Sequence, residues 1–406
     1  MSPRIALVSD WYFLQDGSRL GTGGTETYIG NLAQLAHKLG YDVGIFQRGA
    51  KSFANRWNEF SVRSWTSFDQ QYQLLRTFHG GERGPTVYSD LHLMPPRLFR
   101  PAVGIQHGIY WDIRFRRFRS DALQWILNWL KGARAVMWSR RCLRAIQALD
   151  AVVTVDSNFQ NWMRTMCGWH DFERKWEYIP NFAEPVGVDQ LRAKLNDSRR
   201  VSRILFARRL VPHRGTFLWA EAVRRLAAQF PQIEFVFCGR AEGVAVRQKL
   251  EEVLRGLGNV RVYERAYNEM QQEHYFADIE VVPSYGSEGT AFSLIEAMAS
   301  GTCVVATCVG GLPNIVIPDF NGVIVEPVES RIEQAVTELI QAPEKVRRLA
   351  SNAYQTVLEG FSKLRWQERM TELFGRVFGM PAREVSRHAG AQVGSAETIS
   401  NARVRD

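Results

Sequence analysis

The stretch PSYGSEGTAFSLIEAMASGTCVVATCVGGLPNIV, residues 283–316, decides the fold class of this chain. Its apolar residues take helical spacing from about Ala291, and Gly301 ends that pattern. The next apolar run, CVVATC (303–308), is short and uninterrupted, which is typical of a strand buried in a parallel sheet. The end of a strand, a loop, a helix and a second strand in this order form part of a βαβ unit.

Strand-length apolar segments alternate with amphipathic segments along most of the 406 residues, which predicts an α/β fold with parallel sheets. A polar stretch at 181–200 separates the two halves, and a chain of this length exceeds a single core. We therefore expect two parallel-sheet domains, with a cleft at the carboxyl ends of their strands. The predicted strands are 4–9, 42–47, 85–89, 102–106 and 151–155 in the first half, and 203–208, 234–239, 259–264, 279–284, 303–308 and 322–327 in the second.

The composition excludes several classes of protein. Hydrophobic residues make up 45% and charged residues 23%, which is near the average of globular proteins and unlike disordered chains. Because no apolar run approaches about 18 residues and no signal peptide is visible, we expect a cytoplasmic protein, at most peripheral to a membrane. The five cysteines lack CxxC spacing, which argues against a disulfide framework and a zinc site. Residues 381–406 contain no aromatic residue, Leu or Met, so we expect a disordered tail there.

The formal net charge of +9 is concentrated in residues 109–148, where nine basic and two acidic residues give +7. Basic residues beside Trp and Leu are typical of a helix that lies on an anionic membrane surface. The alternative is that Trp125 and Trp129, four residues apart, are core and the arginines are a solvated face. The aromatic residues of this segment are Tyr110, Trp111, Phe115, Phe118, Trp125, Trp129 and Trp138.

Two glutamates lie at the predicted helix of 283–316. Glu288 precedes the helix, and Glu296 lies inside it among apolar residues. Burying a carboxylate among apolar residues costs free energy unless the carboxylate has a partner, so we expect a polar ligand or a basic side chain at Glu296. The alternative is that Glu288 complements the helix dipole and an internal arginine pairs with Glu296. The backbone N–H groups that suit an anion or a hydroxyl are those of Gly289, Thr290, Ala291 and Phe292.

A cluster of basic residues follows the strand in RILFARRLVPHRG, residues 203–215. Arg208 and Arg209 end the strand, and Arg214 precedes the next helix. Guanidinium groups beside a helix N-terminus favour a phosphate or a diphosphate. The alternative is that these are ordinary solvated arginines of a βα loop.

Glycines and a histidine mark the carboxyl edge of the first predicted sheet. Gly23 and Gly24 lie in LGTGGTE between the first strand and the first helix. Glu26 stands where a dinucleotide fingerprint would need its third glycine, so this loop is not that fingerprint. His107 ends the strand 102–106 at the same edge, although a lone strand-end histidine is more often structural.

The order of these motifs, GGTE, a strand-end His, RRL…HRG and EGTAFSLIEAMASG, resembles retaining glycosyltransferases of the GT-B fold, specifically glycosyltransferase family 4. The resemblance spans about residues 4–375 and implies two Rossmann-like parallel-sheet domains facing a central cleft. It implies an acceptor-binding domain over 1–185 and a nucleotide-sugar donor domain over 186–360. A helix at 361–380 would cross back to the first domain.

The resemblance also implies roles for residues. Glu288 would contact the donor sugar, Glu296 the nucleotide ribose, and Arg209 with Arg214 the donor diphosphate. Arg208 replaces the Gly that is usual in the family, and Arg214 replaces the usual Lys. The resemblance therefore supports a positive charge at the diphosphate more strongly than it supports the individual hydrogen bonds. The implied catalytic residues are His107, Arg209, Arg214 and Glu288, and the implied donor-binding residues are Gly23, Gly24, Gly289, Thr290, Ala291, Phe292 and Glu296.

The implied reaction moves a hexose-type sugar from a UDP- or GDP-linked donor to a glycan or lipid-linked acceptor, with retention of configuration. Arginines can stabilise the departing diphosphate, and the chain contains no Asp-x-Asp, so we expect neither a metal nor a cofactor. We also expect no nucleic-acid partner. Two alternatives stay open: a GT-B sugar-nucleotide epimerase, and a non-enzymatic binding protein suggested by the basic charge.

Overall fold

The structure is a computed structural model, and the part of the chain that it describes is built around two β-sheets. The description covers residues 2–379 except 19, 22, 110, 112–120, 169–173, 198–199 and 287, with the backbone alone for 121–129 and 267. The strands of one sheet all precede those of the other along the chain. The predicted pair of parallel-sheet α/β domains is therefore confirmed.

The first sheet has, within the described residues, the strand order β3-β4-β2-β1-β5-β6-β7-β8, in which β3 is antiparallel to β4 and the other pairs are parallel. Successive residues of β1 enter different cores: Ile5 and Leu7 pack on one face, Ala6 and Val8 on the other. Its elements are β1 (Arg4–Ser9), α1 (Gly24–Lys38), β2 (Asp42–Arg48), β3 (Ala54–Trp57), β4 (Phe60–Trp65), α2 (Phe68–His79), β5 (Thr86–Ser89), β6 (Ala102–Gln106), α3 (Asp121–Ala148), β7 (Ala151–Thr154), α4 (Ser157–Cys167) and β8 (Trp176–Tyr178).

The second sheet is parallel throughout its described strands, in the order β11-β10-β9-β12-β13-β14. Its first strand is also buried on both faces, which is why RILFA is nearly all apolar. The elements are α5 (Val188–Asn196), β9 (Arg203–Ala207), α6 (Thr216–Gln229), β10 (Glu234–Cys238), α7 (Val244–Val253), β11 (Val260–Tyr263), α8 (Met270–Phe276), β12 (Ile279–Val282), α9 (Phe292–Ala299), β13 (Cys303–Thr307), β14 (Val323–Val325), α10 (Glu329–Gln341) and α11 (Pro343–Thr356).

Both sheets have a point where the strand order reverses. It lies between β1 and β5 in the first sheet and between β9 and β12 in the second. In open α/β sheets, ligands bind outside the carboxyl ends of the strands at such a point. The loops after β1, β9 and β12 are therefore the first places to look for a site.

The predicted strands all correspond to strands of the structure, but β3, β4 and β8 were missed. The strands β3 and β4 form an edge hairpin whose turn includes Asn58 at φ +51, a left-handed conformation that Asn tolerates. Polar residues interrupt the apolar ones in ANRW and FSVRSW, and β3 contains no fully buried residue. Such a segment gives a weaker signal than the apolar runs of central strands.

The chain returns to the first domain at its described end. A π-helical turn (Val357–Phe361) leads into α12 (Lys363–Phe378), whose apolar face joins the core around Tyr28. Backbone hydrogen bonds of 3.0 and 2.9 Å join Ala183 to Phe361 and Lys363, so the two connections between the domains run side by side. The limits 1–185 and 186–360 stay predictions, and the predicted tail 381–406 lies outside the described residues.

The basic segment 109–148 gives a mixed result. Trp111 is 3% exposed and stacks on Trp138 at a centroid distance of 6.2 Å, so the prediction that places Trp111 at a membrane surface is wrong. Packing against His92 and the α3–α4 core accounts for this burial. Tyr110, Phe115 and Phe118 lie outside the described residues, as do the side chains of Trp125 and Trp129.

We expect Phe374→Ala to destabilise the first domain by about 3 to 5 kcal/mol, because this fully buried ring lies in the core that α12 completes. Urea unfolding followed by tryptophan fluorescence measures the change. Glu372→Ala, at an exposed position of the same helix, is the matched control and should change the unfolding free energy by less than about 0.5 kcal/mol. Equal stability of the two variants would contradict the packing of α12.

Candidate functional site

Four loops meet where the carboxyl edges of the two sheets approach each other. They follow β1, β6, β9 and β12. A Cβ built on Gly108, after β6, would lie 3.2 Å from the backbone nitrogen of Gly289, after β12. A Cβ on Gly24 would lie 3.1 Å from the ring of Phe292. Residues that the sequence predicted for one site therefore come together from both domains.

Glu288 is the centre of the charged cluster on the second domain. Its side chain is 3% exposed, and Oε1 accepts hydrogen bonds from Ser284 Oγ at 2.5 Å and from an Arg208 nitrogen at 2.7 Å. The guanidinium of Arg214 pairs with Oε2. Burial acts to raise the pKa of Glu288, but Arg208 and Arg214 outweigh it and hold this pKa at about 2. The carboxylate is thus ionised at any physiological pH, and it neutralises part of a strongly basic pocket.

Backbone contacts that only glycine allows hold this cluster together. Gly215 takes φ +83, and a Cβ there would lie 1.9 Å from the carbonyl oxygen of Pro283, so the loops after β9 and β12 touch. Gly310 takes φ +56, and a Cβ there would lie 2.2 Å from the carbonyl oxygen of Glu288. These contacts fix the arginines of one loop against the glutamate of the other.

Arg209 has a different environment from Arg208. Its side chain is exposed, and no hydrogen bond or ion pair of its guanidinium is recorded within the described part of the chain. Burial raises the pKa of Glu26 in the first domain, whereas the positive charge of Arg209 lowers it. Arg209 therefore lies near the glycine loop after β1, with its guanidinium accessible to an anion.

Glu296 lies on α9 with its side chain 23% exposed, and a histidine is its basic partner. Nε2 of His274 is 3.5 Å from Oε2 of Glu296, and Nδ1 of the same ring is 2.6 Å from Oε2 of Glu280. The expectation of an internal partner is thus met by His274, where one alternative had named an arginine. Part of the carboxylate still faces outward from the helix.

The start of α9 has two kinds of contact. The backbone N–H groups of Gly289, Thr290 and Phe292 have no recorded acceptor among the described residues. The side chains, in contrast, serve the contact between domains: Thr290 Oγ1 donates to the carbonyl of Val155 at 3.0 Å and accepts from the N–H of Asn181 at 2.9 Å. The ring of Phe292 packs edge-on against Phe182 at 5.5 Å. Ala291 is the N-cap residue and makes no side-chain cap.

His107 faces this start of α9 from the first domain. Its carbonyl oxygen would lie 2.5 Å from a Cβ on Gly289, which explains the need for glycine there. Its Nε2 is 3.1 Å from Ser89 Oγ, and its ring contacts Tyr28 edge-on at 4.9 Å. Burial lowers the pKa of His107 to about 4, so the imidazole is neutral near pH 7. A neutral imidazole can hydrogen-bond a sugar hydroxyl without adding charge.

Gly23 and Gly24 leave room for Glu26 and for the second domain, respectively. A Cβ on Gly23 would lie 2.6 Å from Oε2 of Glu26, while one on Gly24 would meet Phe292.

Among the residues that reasoning from the sequence missed are Ser284, His274 and Glu280. Arg208 was grouped with the arginines that favour a phosphate, but in the structure its guanidinium pairs with Glu288 instead. The roles of all these residues toward a ligand stay predictions.

Glu288→Gln should lower the unfolding free energy at neutral pH by on the order of 3 kcal/mol, because Arg208 and Arg214 lose the charge that pairs with them. The pKa of Glu288 lies below its ordinary value of 4.5, so its stabilisation is complete above pH 4.5 and is lost as the pH falls toward 2. The stability difference between wild type and variant should therefore shrink over that range.

Denaturant titrations at a series of pH values measure this difference. Glu251→Gln removes an exposed i,i+4 pair with Arg247 and is the control, with an expected change below about 0.5 kcal/mol at every pH. A Glu288→Gln variant as stable as wild type at pH 7 would show that the buried pairs contribute nothing.

Comparison with known proteins finds a family match for the second domain. Residues 188–356 match the family described as Glycosyl transferases group 1. Lipopolysaccharide 1,2-N-acetylglucosaminetransferase of Salmonella typhimurium is 25% identical over 189 residues, which are 44% of this chain and 49% of that protein. The match thus spans about half the length of this curated relative.

Solved structures resemble the chain over nearly its full length. Sucrose-phosphate synthase of Thermosynechococcus elongatus has a TM-score of 0.69 at 18% identity, covering 93% of this chain and 100% of that chain. Anabaena HepE in complex with UDP-glucose has a TM-score of 0.66 at 16% identity, covering 92% and 100%. At these identities the likeness is one of fold. The chain therefore has the GT-B fold, and its residues 188–356 are similar to the Glycosyl transferases group 1 family.

Proposed function

We propose that the protein is a retaining glycosyltransferase that moves a hexose-type sugar from a nucleotide-diphosphate sugar to a glycan or lipid-linked acceptor. The observation that carries this proposal is the set of arginines around the buried Glu288 at the carboxyl edge of the group 1 domain. Because HepE was solved with UDP-glucose, UDP is the first nucleotide to try as the carrier of the donor sugar, and GDP is the second.

The arginines supply the main chemical contribution. Cleavage of the bond between sugar and phosphate develops negative charge on the leaving diphosphate. Arg209 is exposed and Arg214 is partly exposed, so both can reach that charge, while Arg208 is turned inward to Glu288. Pre-positioned cations lower the barrier because they need no reorganisation as the charge forms. On this ground we expect the transfer to need neither a metal nor a cofactor.

The glutamates and His107 hold the donor in this proposal. Oε1 of Glu288 already has two donors, whereas Oε2 pairs with Arg214 and has a lone pair left for a sugar hydroxyl. Glu296, which is partly exposed, would accept from the ribose hydroxyls. The acceptor attacks from the face that the leaving group vacates, its proton passes to a diphosphate oxygen, and the anomeric configuration is retained.

Arg214→Ala should lower kcat by about 10²- to 10³-fold, as for the loss of one pre-positioned donor to a developing anion. Glu288 keeps Arg208 as a partner in this variant, so folding should be intact. The protein is first screened by thermal shift against UDP, GDP, ADP, dTDP and their sugar conjugates, and transfer is then measured with the donor that raises the midpoint.

Arg224→Ala, which removes an exposed arginine of α6, is the matched control and should retain full activity. Near-wild-type activity of Arg214→Ala would contradict the site assignment. A product whose sugar is altered but still attached to the nucleotide would favour the epimerase alternative. Failure to bind any nucleotide, together with salt-dependent binding of an oligonucleotide, would favour the non-enzymatic one.

We further propose that the exposed face of α3 docks on an anionic membrane, with the enzyme in the cytoplasm at the inner face of that membrane. Over 130–148 this helix carries five basic residues and no acidic residue. Leu130 and Met137 are 50% and 56% exposed beside Arg134, Arg140 and Arg144, which are also exposed. Cations and apolar side chains on one face suit anionic lipid headgroups. Within the described residues, none of the helices is both long enough and apolar enough to cross a bilayer.

The double variant Arg140→Glu/Arg144→Glu should lose membrane binding, since each basic residue near an anionic surface contributes about 1 kcal/mol. Co-sedimentation with phosphatidylserine-containing vesicles at low salt measures it, and vesicles of phosphatidylcholine alone give the baseline. Arg224→Glu/Arg255→Glu makes the same charge change on exposed residues of the second domain and should bind like wild type. Equal binding by both double variants would refute docking through α3.

A further inference from the structure

A buried row of basic and acidic side chains connects the two halves of the proposed donor site. His274, on α8, has its two ring nitrogens directed at Glu280 on β12 and Glu296 on α9. The positive charge of Arg208, which pairs with Glu288, also acts on Glu280. The row therefore passes from the arginine cluster through Glu280 and His274 to Glu296.

The His274 side chain is fully buried and firmly held. Its exposure is 0%, and so is that of Glu280. Its backbone carbonyl accepts hydrogen bonds from Thr302 Oγ1 at 2.6 Å and from the Ala277 N–H at 3.3 Å. The ring can donate to two carboxylates only as an imidazolium, with a proton on each nitrogen. Burial opposes that charge, but Glu280 and Glu296 outweigh it and raise the pKa of His274 to about 10.

Stability alone does not account for this arrangement. Replacing a buried ion pair by apolar residues of similar volume is often neutral or stabilising, so such a pair is weak evidence of a stabilising role. Glu296 is the member of the row that reaches the surface, at 23% exposure, while His274 and Glu280 lie directly behind it.

We propose that His274 and Glu280 are positioning residues that hold the carboxylate of Glu296 directed at the ribose hydroxyls of the donor nucleotide. This inference rests on the proposed function and deepens it, because it assigns preference for ribonucleotides over deoxyribonucleotides to three residues. A carboxylate fixed on one side by an imidazolium presents its remaining lone pairs in one direction. A hydrogen bond to a charged acceptor is stronger than one between neutral groups, so its loss in a deoxyribonucleotide weakens binding more.

The test measures dissociation constants by calorimetry for UDP, 2′-deoxy-UDP, 3′-deoxy-UDP and inorganic pyrophosphate, with the GDP series in their place if the wild type prefers GDP. We expect the wild type to bind the ribonucleotide about 10- to 100-fold more tightly than at least one deoxy form, the range for a hydrogen bond to a charged group. His274→Gln should reduce that preference to less than about threefold while leaving pyrophosphate affinity unchanged. A merely structural defect would weaken all four ligands together.

Glu280→Gln, which keeps the shape of the side chain, is the second variant and should act in the same direction if His274→Gln fails to fold. His37→Gln, at an exposed histidine of α1, is the control and should retain the wild-type preference. A folded His274→Gln or Glu280→Gln with an undiminished ribose preference would overturn the inference and leave the proposed function intact. A wild type that binds neither nucleotides nor pyrophosphate would overturn both.

Discussion

The pairing of Glu288 with two arginines is the interaction on which the second domain's site depends. A carboxylate that is 3% exposed must be matched by charge and hydrogen bonds, and Arg208, Arg214 and Ser284 supply them. The loops after β9 and β12 must approach closely for this to happen, and Gly215 permits it, while Gly310 lets the loop after β13 pack against the backbone of Glu288. The same contacts leave Arg209 pointing outward, so the cluster presents net positive charge where the sheet order reverses.

The contact between the domains uses residues that the motif pattern assigned to a ligand. The hydroxyl of Thr290 and the ring of Phe292 bind the first domain, while the backbone N–H groups of the same loop stay available. The side chains of this short segment therefore form the contact between the domains, while the ligand contact of its backbone stays a prediction. A sequence motif gives the residue types of such a segment, but it does not show which of them serve the contact between the domains and which serve a ligand.

The fold and the charged residues of the site could be predicted from the sequence, because buried parallel strands give continuous apolar runs and isolated charges stand out among them. The edge hairpin β3–β4 could not, since its alternating pattern is weak and its sheet position depends on distant strands. His274 and Glu280 were also beyond prediction: each looks like an ordinary polar residue at the end of a helix or in a strand. Their meaning depends on tertiary contacts, because Glu280 pairs with His274, and His274 in turn faces Glu296 on the next helix.

The side-by-side connections at Ala183 and Phe361 make the second domain an insertion into the first. Trp366, Met370 and Phe374 complete the core around Tyr28 and Phe182, although they are among the last described residues to leave the ribosome. The first domain therefore has to wait for the second to be synthesised before its own core can close. During that interval its nascent sheet exposes an apolar face, which makes it a natural client for chaperones while translation continues.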